Sequence, residues 1–344
     1  MNGRIRLVLT IGGALLLALL VLHIGPATIL EYGRRTGWYL LPIVLVFLPV
    51  YLCNAFAWYL VMARSPARPP FLRTFVVTVS GFAINYVTPV VSLGGEPFKV
   101  AAVAPWTGTS RATSSVIVFG MLHALSHLFI WLSAVVLALI VVPVDIAATP
   151  GLGAIGLLLL GLIIFVLGRH RHGILEDLLD LLYRVPLLRR AAKRWEPRRP
   201  LFARIDAQIA EFWLHDRARF FAALASEYVG RAISMVEFWL ILLSLGYTVG
   251  YFEAFLIGSF ASFVLNLLFF IPFALGAKES GVLAVVAALG MPAGAGFYAS
   301  LLTRIREIVW IAIGLALIPL SGTRRIEPEP EPVRSKRPLD TEAR

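Results

Sequence analysis

The sequence predicts an all-α fold: a polytopic membrane bundle with two oppositely oriented re-entrant hairpins of broken helices, arranged as an inverted repeat. Hydrophobic residues occupy 59% of the 344 positions and charged residues only 15%, and the mean hydropathy is +0.82. Several apolar runs reach the roughly 20 residues that cross a bilayer. Two similar polar motifs interrupt apolar sequence, one in each half, as in proteins built from inverted repeats.

The composition also argues against several classes of protein. A soluble domain of this length would expose too much apolar surface, and the alternating pattern of an outer-membrane barrel is missing. The net charge of +11 does not indicate a nucleic-acid partner, because the cations lie in loops beside apolar runs, where anionic lipid headgroups attract them. Cys53 is the single cysteine, so the sequence predicts neither an internal disulfide nor a multi-cysteine metal site.

Six runs are predicted to cross the membrane. The first resembles a signal peptide, but it is too long and has no small-residue cleavage site, so we expect it to remain. Basic residues precede the first run and follow the last, which predicts that both termini are cytoplasmic. The predicted spans are residues 7–25, 38–62, 116–142, 152–168, 222–245 and 297–320.

Assigning each loop to one face of the membrane leaves two apolar segments that do not cross it. Basic loops near residues 64–73 and 169–200 must both be cytoplasmic, so residues 71–104 are predicted to enter and leave on that face. By the same assignment of loops to faces, residues 252–289 are predicted to form a second hairpin that enters from the opposite face. Re-entrant backbone needs protein or a watery cavity to satisfy its amides, so a cavity is expected between the hairpins.

The chain is predicted to form one transmembrane domain, residues 1–322, with a cytoplasmic loop at 169–221 and a disordered tail at 323–344. Residues 169–200 of the loop carry nine Lys or Arg and four acids. Leucines and isoleucines at helical spacing in residues 174–182 predict an amphipathic helix on the membrane surface.

The candidate binding residues cluster at the two interruptions and in the last span. Amides freed at half-helix ends, together with Lys or Arg, can hold a phosphate-bearing headgroup. The alternative is that Glu96 and Glu279 only cap or pair to stabilise the loops. We expect Glu279 to be paired and Glu96 to be a candidate proton site. The candidates are Asn85, Pro89, Gly94, Gly95, Glu96, Lys99, Asn266, Pro272, Gly276, Lys278, Glu279, Arg304, Arg306 and Glu307.

Other ionisable residues within apolar sequence are Glu227, Arg231 and Glu237. His123 and His127 share a helix face, and their spacing favours polar contacts between helices over a metal site. We predict no cofactor and no bound metal. Motifs of membrane metalloproteases and serine hydrolases are missing, which disfavours those enzymes. No run of aspartates could hold a metal for chemistry on lipid phosphates, which disfavours that class as well.

The two motifs resemble those of the lysylphosphatidylglycerol synthase transmembrane family, a flippase-like membrane domain, over residues 5–322. The matching residues are Asn85-x-x-x-Pro89, Gly94-Gly95-Glu96-x-x-Lys99, Ile271-Pro272, Gly276, Glu279-Ser280-Gly281 and Leu289-Gly290. Lys99 stands where the commoner pattern has Arg.

The resemblance implies translocation of a phospholipid or isoprenoid-type lipid, with an anionic or zwitterionic headgroup, across a bacterial cytoplasmic membrane. Two-domain relatives carry an aminoacyl-transferase domain after the membrane part; the sequence ends about twenty residues beyond its last span, so we expect no synthase chemistry. The alternative is a scaffold that does not transport and binds a lipid- or glycan-biosynthetic enzyme through residues 169–200. The sequence does not predict an oligomeric state.

Overall fold

The computed structural model describes residues 25–65, 67–88, 94–141, 149–169, 196–267 and 290–321, together with isolated positions elsewhere. Within these ranges the chain is helical and contains no strand. The helices are α1 (Pro26–Thr36), α2 (Leu40–Leu45), α3 (Phe47–Val61), α4 (Phe71–Val87), α5 (Gly95–Thr107), α6 (Thr109–Val141), α7 (Thr149–Arg169), α8 (Arg199–His215), α9 (Arg217–Ser244), α10 (Tyr251–Leu267) and α11 (Ala293–Leu317).

Three helical segments are long and apolar enough to cross a membrane: Leu30–Val61, Thr109–Ile140 and Thr149–Gly168. They coincide with three of the predicted spans. Helices α9 and α11, with 28 and 25 residues, cover two more, and at 1.5 Å per residue both exceed the ~30 Å hydrocarbon core. Many large apolar side chains on these helices face outward, as a lipid solvent permits. The described chain is a polytopic helical membrane bundle, which confirms the coarse fold prediction.

Helices α4 and α5 form an antiparallel hairpin. Near its closed end, Gly95 packs against the backbone of Gly81, since a Cβ at Gly95 would lie 2.1 Å from the Gly81 carbonyl oxygen. At its open end the Arg73 guanidinium lies 5.7 Å from the ring centre of Trp106. With 17 and 13 residues, the two helices are about 25 and 20 Å long, less than the thickness of the hydrocarbon core.

The remaining helices pack around this hairpin. Helix α9 packs most extensively on α3, where Gly230 lies against Cys53 and Val50, and α11 packs on α4, where Gly314 lies against Val79 and Ala83. Small residues at these crossings let the backbones approach closely, as in other membrane bundles. The largest buried cluster joins α3, α4, α5, α6, α9 and α11.

Contacts between helices define two ends of the bundle. Val61 and Ser65 at the end of α3 share a cleft with Arg111 in the first turn of α6, so these residues lie at one end, here called the Ser65 end. The last turns of α9 pack with Ile43 of α2 at the opposite end, which leads to Gly246 and is here called the Gly246 end.

Two predicted loops contain helices. Residues 26–36, expected in an outer loop, form α1, which begins with a proline in its first turn and carries an exposed Glu31–Arg35 pair at 2.8 Å. Residues 199–215 of the predicted cytoplasmic loop form α8. The predicted first span, most of the amphipathic segment at 174–182, the predicted break at 272–281 and the predicted disordered tail lie outside the described residues.

Candidate functional site

The closed end of the α4–α5 hairpin is held by Asn85. Its side-chain oxygen accepts a hydrogen bond from the backbone N–H of Gly95 at 2.6 Å, and its amide donates to Glu96 Oε1 at 3.1 Å. The first N–H groups of a helix have no partner within that helix, and the Asn85 side chain satisfies one of them.

Lys99 pairs with Glu96 on the same helix. Their side chains meet at 3.0 Å, one helical turn apart, and Lys99 is 8% exposed whereas Glu96 is 33% exposed. The Lys99 stem lies against Gly81, where a Cβ would be 2.7 Å from Cε, and its ammonium lies 5.2 Å from the centre of the Phe119 ring. Gly81 thus provides the space for this pair. Glu96 therefore has a cationic partner, and its role as a candidate proton site stays a prediction.

A second ionic cluster joins α9 and α11. Arg306 donates two hydrogen bonds to the Glu237 carboxylate, each 2.8 Å long, and both side chains are buried. The guanidinium also lies 3.6 Å from the centre of the Phe47 ring and 3.9 Å from Glu307 Oε1. Bidentate geometry and an aromatic face are the strongest interactions that a protein offers a buried guanidinium.

The same cluster reaches α4 through Tyr86. The Tyr86 hydroxyl donates to the Glu307 carboxylate and accepts a hydrogen bond of 2.7 Å from Arg304. Arg304 also lies 3.5 Å from Glu307. Asn85 and Tyr86 are neighbours in the sequence, so the last turn of α4 contacts the Glu96–Lys99 pair through one side chain and the α11 cluster through the next.

These clusters are balanced in formal charge. Glu96 and Lys99 form one pair of opposite charges, and Glu237, Arg306, Glu307 and Arg304 contribute two charges of each sign. Unpaired charges inside a bilayer are costly, and pairing removes most of that cost. A ligand with both signs of charge could exchange partners with such clusters without leaving a buried charge uncompensated.

A third polar cluster lies between α3, α6, α9 and α10. Glu227 is completely buried, and its Oε2 lies 2.7 Å from Nδ1 of His123. Arg231 donates to the Ser126 hydroxyl at 2.6 Å and to the His123 carbonyl at 3.0 Å. His127 lies 3.4 Å from the Ser262 hydroxyl. The two histidines make polar contacts between helices, as predicted, and the described residues contain no cluster of three or more metal ligands.

The candidate residues from the first motif and from the last span are therefore brought to neighbouring positions. Asn266 is exposed near the end of α10 and donates to the Ser262 carbonyl at 2.9 Å. Gly94 precedes α5 and lies against the Thr88 side chain. The other candidates lie outside the described residues: Pro89, Pro272, Gly276, Lys278 and Glu279.

Sequence reasoning did not include Tyr86, Glu237, Glu227 or His123 among the site residues. The two carboxylates carry a usable signal, since a Glu within an apolar span usually has a partner inside the bundle. Tyr86 carries no such signal, because the sequence around it does not distinguish it from a tyrosine that only packs against apolar neighbours.

A helical bundle with membrane-length apolar helices and ion pairs buried between them is an integral, multi-pass membrane protein. Residues 5–314 match the family described as the lysylphosphatidylglycerol synthase TM region, and the chain belongs to this family. The match is to the membrane region of that synthase. Searches of curated proteins and of solved structures find no match.

Proposed function

We propose that this protein moves a lipid with an anionic or zwitterionic headgroup, a phospholipid or an isoprenoid-type lipid, between the leaflets of a bacterial cytoplasmic membrane. The proposal draws on the family match and on the position of the charged clusters. Both termini are cytoplasmic in this proposal, which follows the distribution of basic loops.

The α4–α5 hairpin is the observation that carries the proposal. Its helices are shorter than the hydrocarbon core, and its closed end carries Asn85, Glu96 and Lys99. We infer that the hairpin is re-entrant and that its closed end lies within the membrane. Freed amides and a Lys–Glu pair at that depth suit a headgroup that must leave water on one side and reach it on the other.

Residues 252–289 are proposed to form the matching hairpin from the opposite face. Helix α10, with 17 residues, is its first half, and Asn266 lies near the end of that helix. In this arrangement Lys278 and Glu279 face the same cavity as Glu96 and Lys99. The α9–α11 cluster then lies beside the first hairpin. Arg306 joins α11 to Glu237 of α9, and Tyr86 of α4 bonds Arg304 of α11.

Charge balance favours lipids whose headgroup can exchange ion-pair partners. A phosphate can replace Glu96 beside Lys99, and the released carboxylate can accept from Asn85 or from a headgroup ammonium. A neutral headgroup offers neither exchange. The expected substrate preference is therefore for phosphate-bearing lipids over glycolipids without phosphate.

The second candidate function is a scaffold that holds a lipid- or glycan-biosynthetic enzyme. It is favoured by the complete pairing of Glu237 with Arg306, which suits a rigid structural element, and by the nine cations of residues 169–200. In that case the charged clusters only stabilise the bundle, and no lipid exchanges leaflets through them.

Reconstitution into liposomes separates the two functions. Phosphatidylglycerol and phosphatidylethanolamine labelled with a fluorophore are followed by quenching from outside, with protein-free liposomes and a non-phosphate glycolipid probe as references. Transport predicts fast exchange that Lys99→Gln and Glu96→Gln reduce at least about tenfold, the loss of one charge-assisted contact. Arg219→Gln is the matched control, because Arg219 pairs with Asp216 on an exposed surface.

A second variant tests the scaffold directly. Deletion of residues 172–194 removes five of the nine cations and leaves α7 and α8 in place, but it also removes the buried Leu179 and the Asp180 partner of Arg199. Transport predicts that leaflet exchange survives this deletion. No exchange above the protein-free rate, with wild-type protein that is folded by circular dichroism, would exclude the flippase and leave the scaffold.

A further inference from the structure

The pairing of Glu227 differs from that of Glu96, Glu237 and Glu307. Glu96 is paired with a lysine, and Glu237 and Glu307 are paired with arginines, which stay charged at physiological pH. Glu227 is completely buried, and its only direct ion-pair partner in the described part of the chain is His123. A neutral imidazole accepts a proton far more readily than a lysine or an arginine releases one, so this pair is the one that can gain or lose a proton.

His123 connects the buried carboxylate with the surface of the bundle. Its side chain is 43% exposed, while Glu227 is 0% exposed, and they meet at Nδ1 and Oε2. In the described part of the chain the other ring nitrogen, Nε2, makes no hydrogen bond. One nitrogen therefore contacts the buried acid and the other remains open to a water molecule or a ligand group.

The second carboxylate oxygen of Glu227 is also satisfied. In the amide orientation that suits its neighbours, Asn54 donates to Glu227 Oε1 and to the Val50 carbonyl, both at 3.2 Å. Asn54 can support either protonation state of Glu227, because an acid keeps one acceptor oxygen. The site is therefore built to hold the carboxyl group both with and without its charge.

Charged and titratable groups approach the pair from four helices. Arg231 on α9 does not bond Glu227 directly but bonds Ser126 and the His123 backbone, so its positive charge is held close to the site. Its charge and that of Lys99 both act on His123. The surrounding groups are Arg231 from α9, Lys99 from α5, His127 from α6 and Cys53 from α3, with the Ser262 hydroxyl of α10 against His127.

We propose that His123 and Glu227 form a proton-binding site that couples proton movement to lipid translocation. The proposal rests on the proposed transport function. In the deprotonated state His123 is neutral and its Nδ1–H donates to the Glu227 carboxylate. A proton from water binds Nε2 and makes the ring an imidazolium. The Nδ1 proton then passes to Glu227 Oε2, which leaves a neutral acid and a neutral imidazole protonated on Nε2.

Coupling follows from the loss of charge at Glu227. When the carboxyl group becomes neutral, Arg231 loses its nearby counter-charge, and the charge-assisted hydrogen bond from His123 on α6 to Glu227 on α9 becomes a weaker one between neutral groups. An anionic headgroup can then restore the balance. The site lies beside the Glu96–Lys99 pair, because Phe119 packs on both Lys99 and His123. A change at His123 can therefore reach the closed end of the hairpin through one aromatic ring.

Proton binding is measured first without lipid transport. Infrared spectra of the purified protein recorded over a series of pH values should show a carboxylic-acid C=O band that grows as the pH falls. The band should disappear in Glu227→Gln and should shift its midpoint in His123→Gln. Glu31→Gln is the control, because Glu31 belongs to an exposed pair with Arg35. A spectrum in which Glu227→Gln changes no pH-dependent band would overturn the proton site.

Coupling is measured in liposomes with an imposed pH difference. The rate at which wild-type protein exchanges labelled phosphatidylglycerol should depend on pH. On one limb of the plot of rate against pH it should change by up to about tenfold per pH unit, because one proton is bound. His123→Gln and Glu227→Gln should lose this dependence, so that each variant exchanges lipid at the same rate across the pH series. If both variants keep the wild-type profile, coupling through this pair is wrong.

The two measurements separate this proposal from the transport function on which it rests. If the wild-type protein exchanges no lipid, the transport function and the coupling fail together, and the infrared band alone decides whether the site binds a proton. If exchange is fast but independent of pH, transport stands and the coupling fails. Thermal unfolding in detergent shows whether each variant is folded, and His123→Asn provides a second, smaller replacement.

Discussion

Arg306 on α11 and Glu237 on α9 form a bidentate ion pair in the interior of the bundle, with both N–O distances at 2.8 Å. The two residues are 69 positions apart, and each lies on a helix that is long enough to cross a membrane. In a medium without water, two parallel charge-assisted hydrogen bonds fix both the distance and the rotation of the helices. This pair sets the register of α9 against α11.

Removing one partner of this pair should be strongly destabilising. Glu237→Ala leaves a buried guanidinium with only the more distant Glu307, and breaking a buried pair costs about 3–5 kcal/mol. The double variant Glu237→Leu with Arg306→Leu should recover much of that loss, because no unpaired charge remains. Free energies of unfolding in detergent measure both, with Glu31→Ala in the exposed Glu31–Arg35 pair as control. If Glu237→Ala and Glu31→Ala lowered the free energy of unfolding equally, the Glu237–Arg306 pair would not be a buried, stabilising contact.

Gly95→Ala should disturb the closed end of the α4–α5 hairpin. The added methyl would lie 2.1 Å from the Gly81 carbonyl oxygen and 2.7 Å from Asn85 Oδ1, so the helices must separate. Overpacking of this kind costs about 1–3 kcal/mol. Gly120→Ala is the matched control, since nothing lies within 4 Å of its Cβ position, and it should be neutral or stabilising. Thermal unfolding compares the two, and a stable Gly95→Ala protein would exclude this close packing.

The local part of the site could be predicted from the sequence. Four of its residues lie within fifteen positions of each other: Asn85, Gly95, Glu96 and Lys99. A helix break that contains a side-chain amide, a glycine and opposite charges at i, i+3 spacing predicts hydrogen bonds among these groups. The membrane class followed from apolar run lengths, because the bilayer fixes how long a span must be.

The long-range part could not be predicted. Tyr86 and Glu307 are 221 positions apart, and Glu227 and His123 are 104 apart. Such contacts depend on which helix faces pack together, and this is decided by small residues such as Gly230 and Gly314 at the crossings. A sequence shows that these carboxylates need partners but does not show which helix supplies them. The contacts of Arg304 with Tyr86 and Glu307 are of this kind.

Tyr86→Phe should weaken the contact between α4 and α11. It removes a hydroxyl that donates to Glu307 and accepts from Arg304, and hydrogen bonds to charged groups contribute about 1.5–3 kcal/mol. Tyr59→Phe is the control, because the Tyr59 ring packs under Arg68 and its hydroxyl makes no hydrogen bond in the described part of the chain. Unfolding free energies of the two variants should differ by at least about 1 kcal/mol. A smaller difference would show that the Tyr86 hydroxyl does not stabilise the junction.

The two ends of the bundle should be labelled from opposite sides of the membrane. Ser110 lies at the start of α6 at the Ser65 end, and Thr248 lies between α9 and α10 at the Gly246 end; both are exposed. Introduced cysteines at these positions, in a Cys53→Ala background, are tested in intact cells with a thiol reagent that does not cross membranes.

The basic residues Arg64, Arg68 and Arg73 lie near the Ser65 end, so the positive-inside rule predicts that Ser110→Cys is protected and Thr248→Cys is labelled. Permeabilised cells should label both, which controls for buried or oxidised thiols. Labelling of Ser110→Cys alone would place the hairpin opening outside and reverse the orientation of the whole bundle. Labelling of both in intact cells would mean that the chain does not separate these positions across the membrane, and the opposed hairpins of the transport proposal would be wrong.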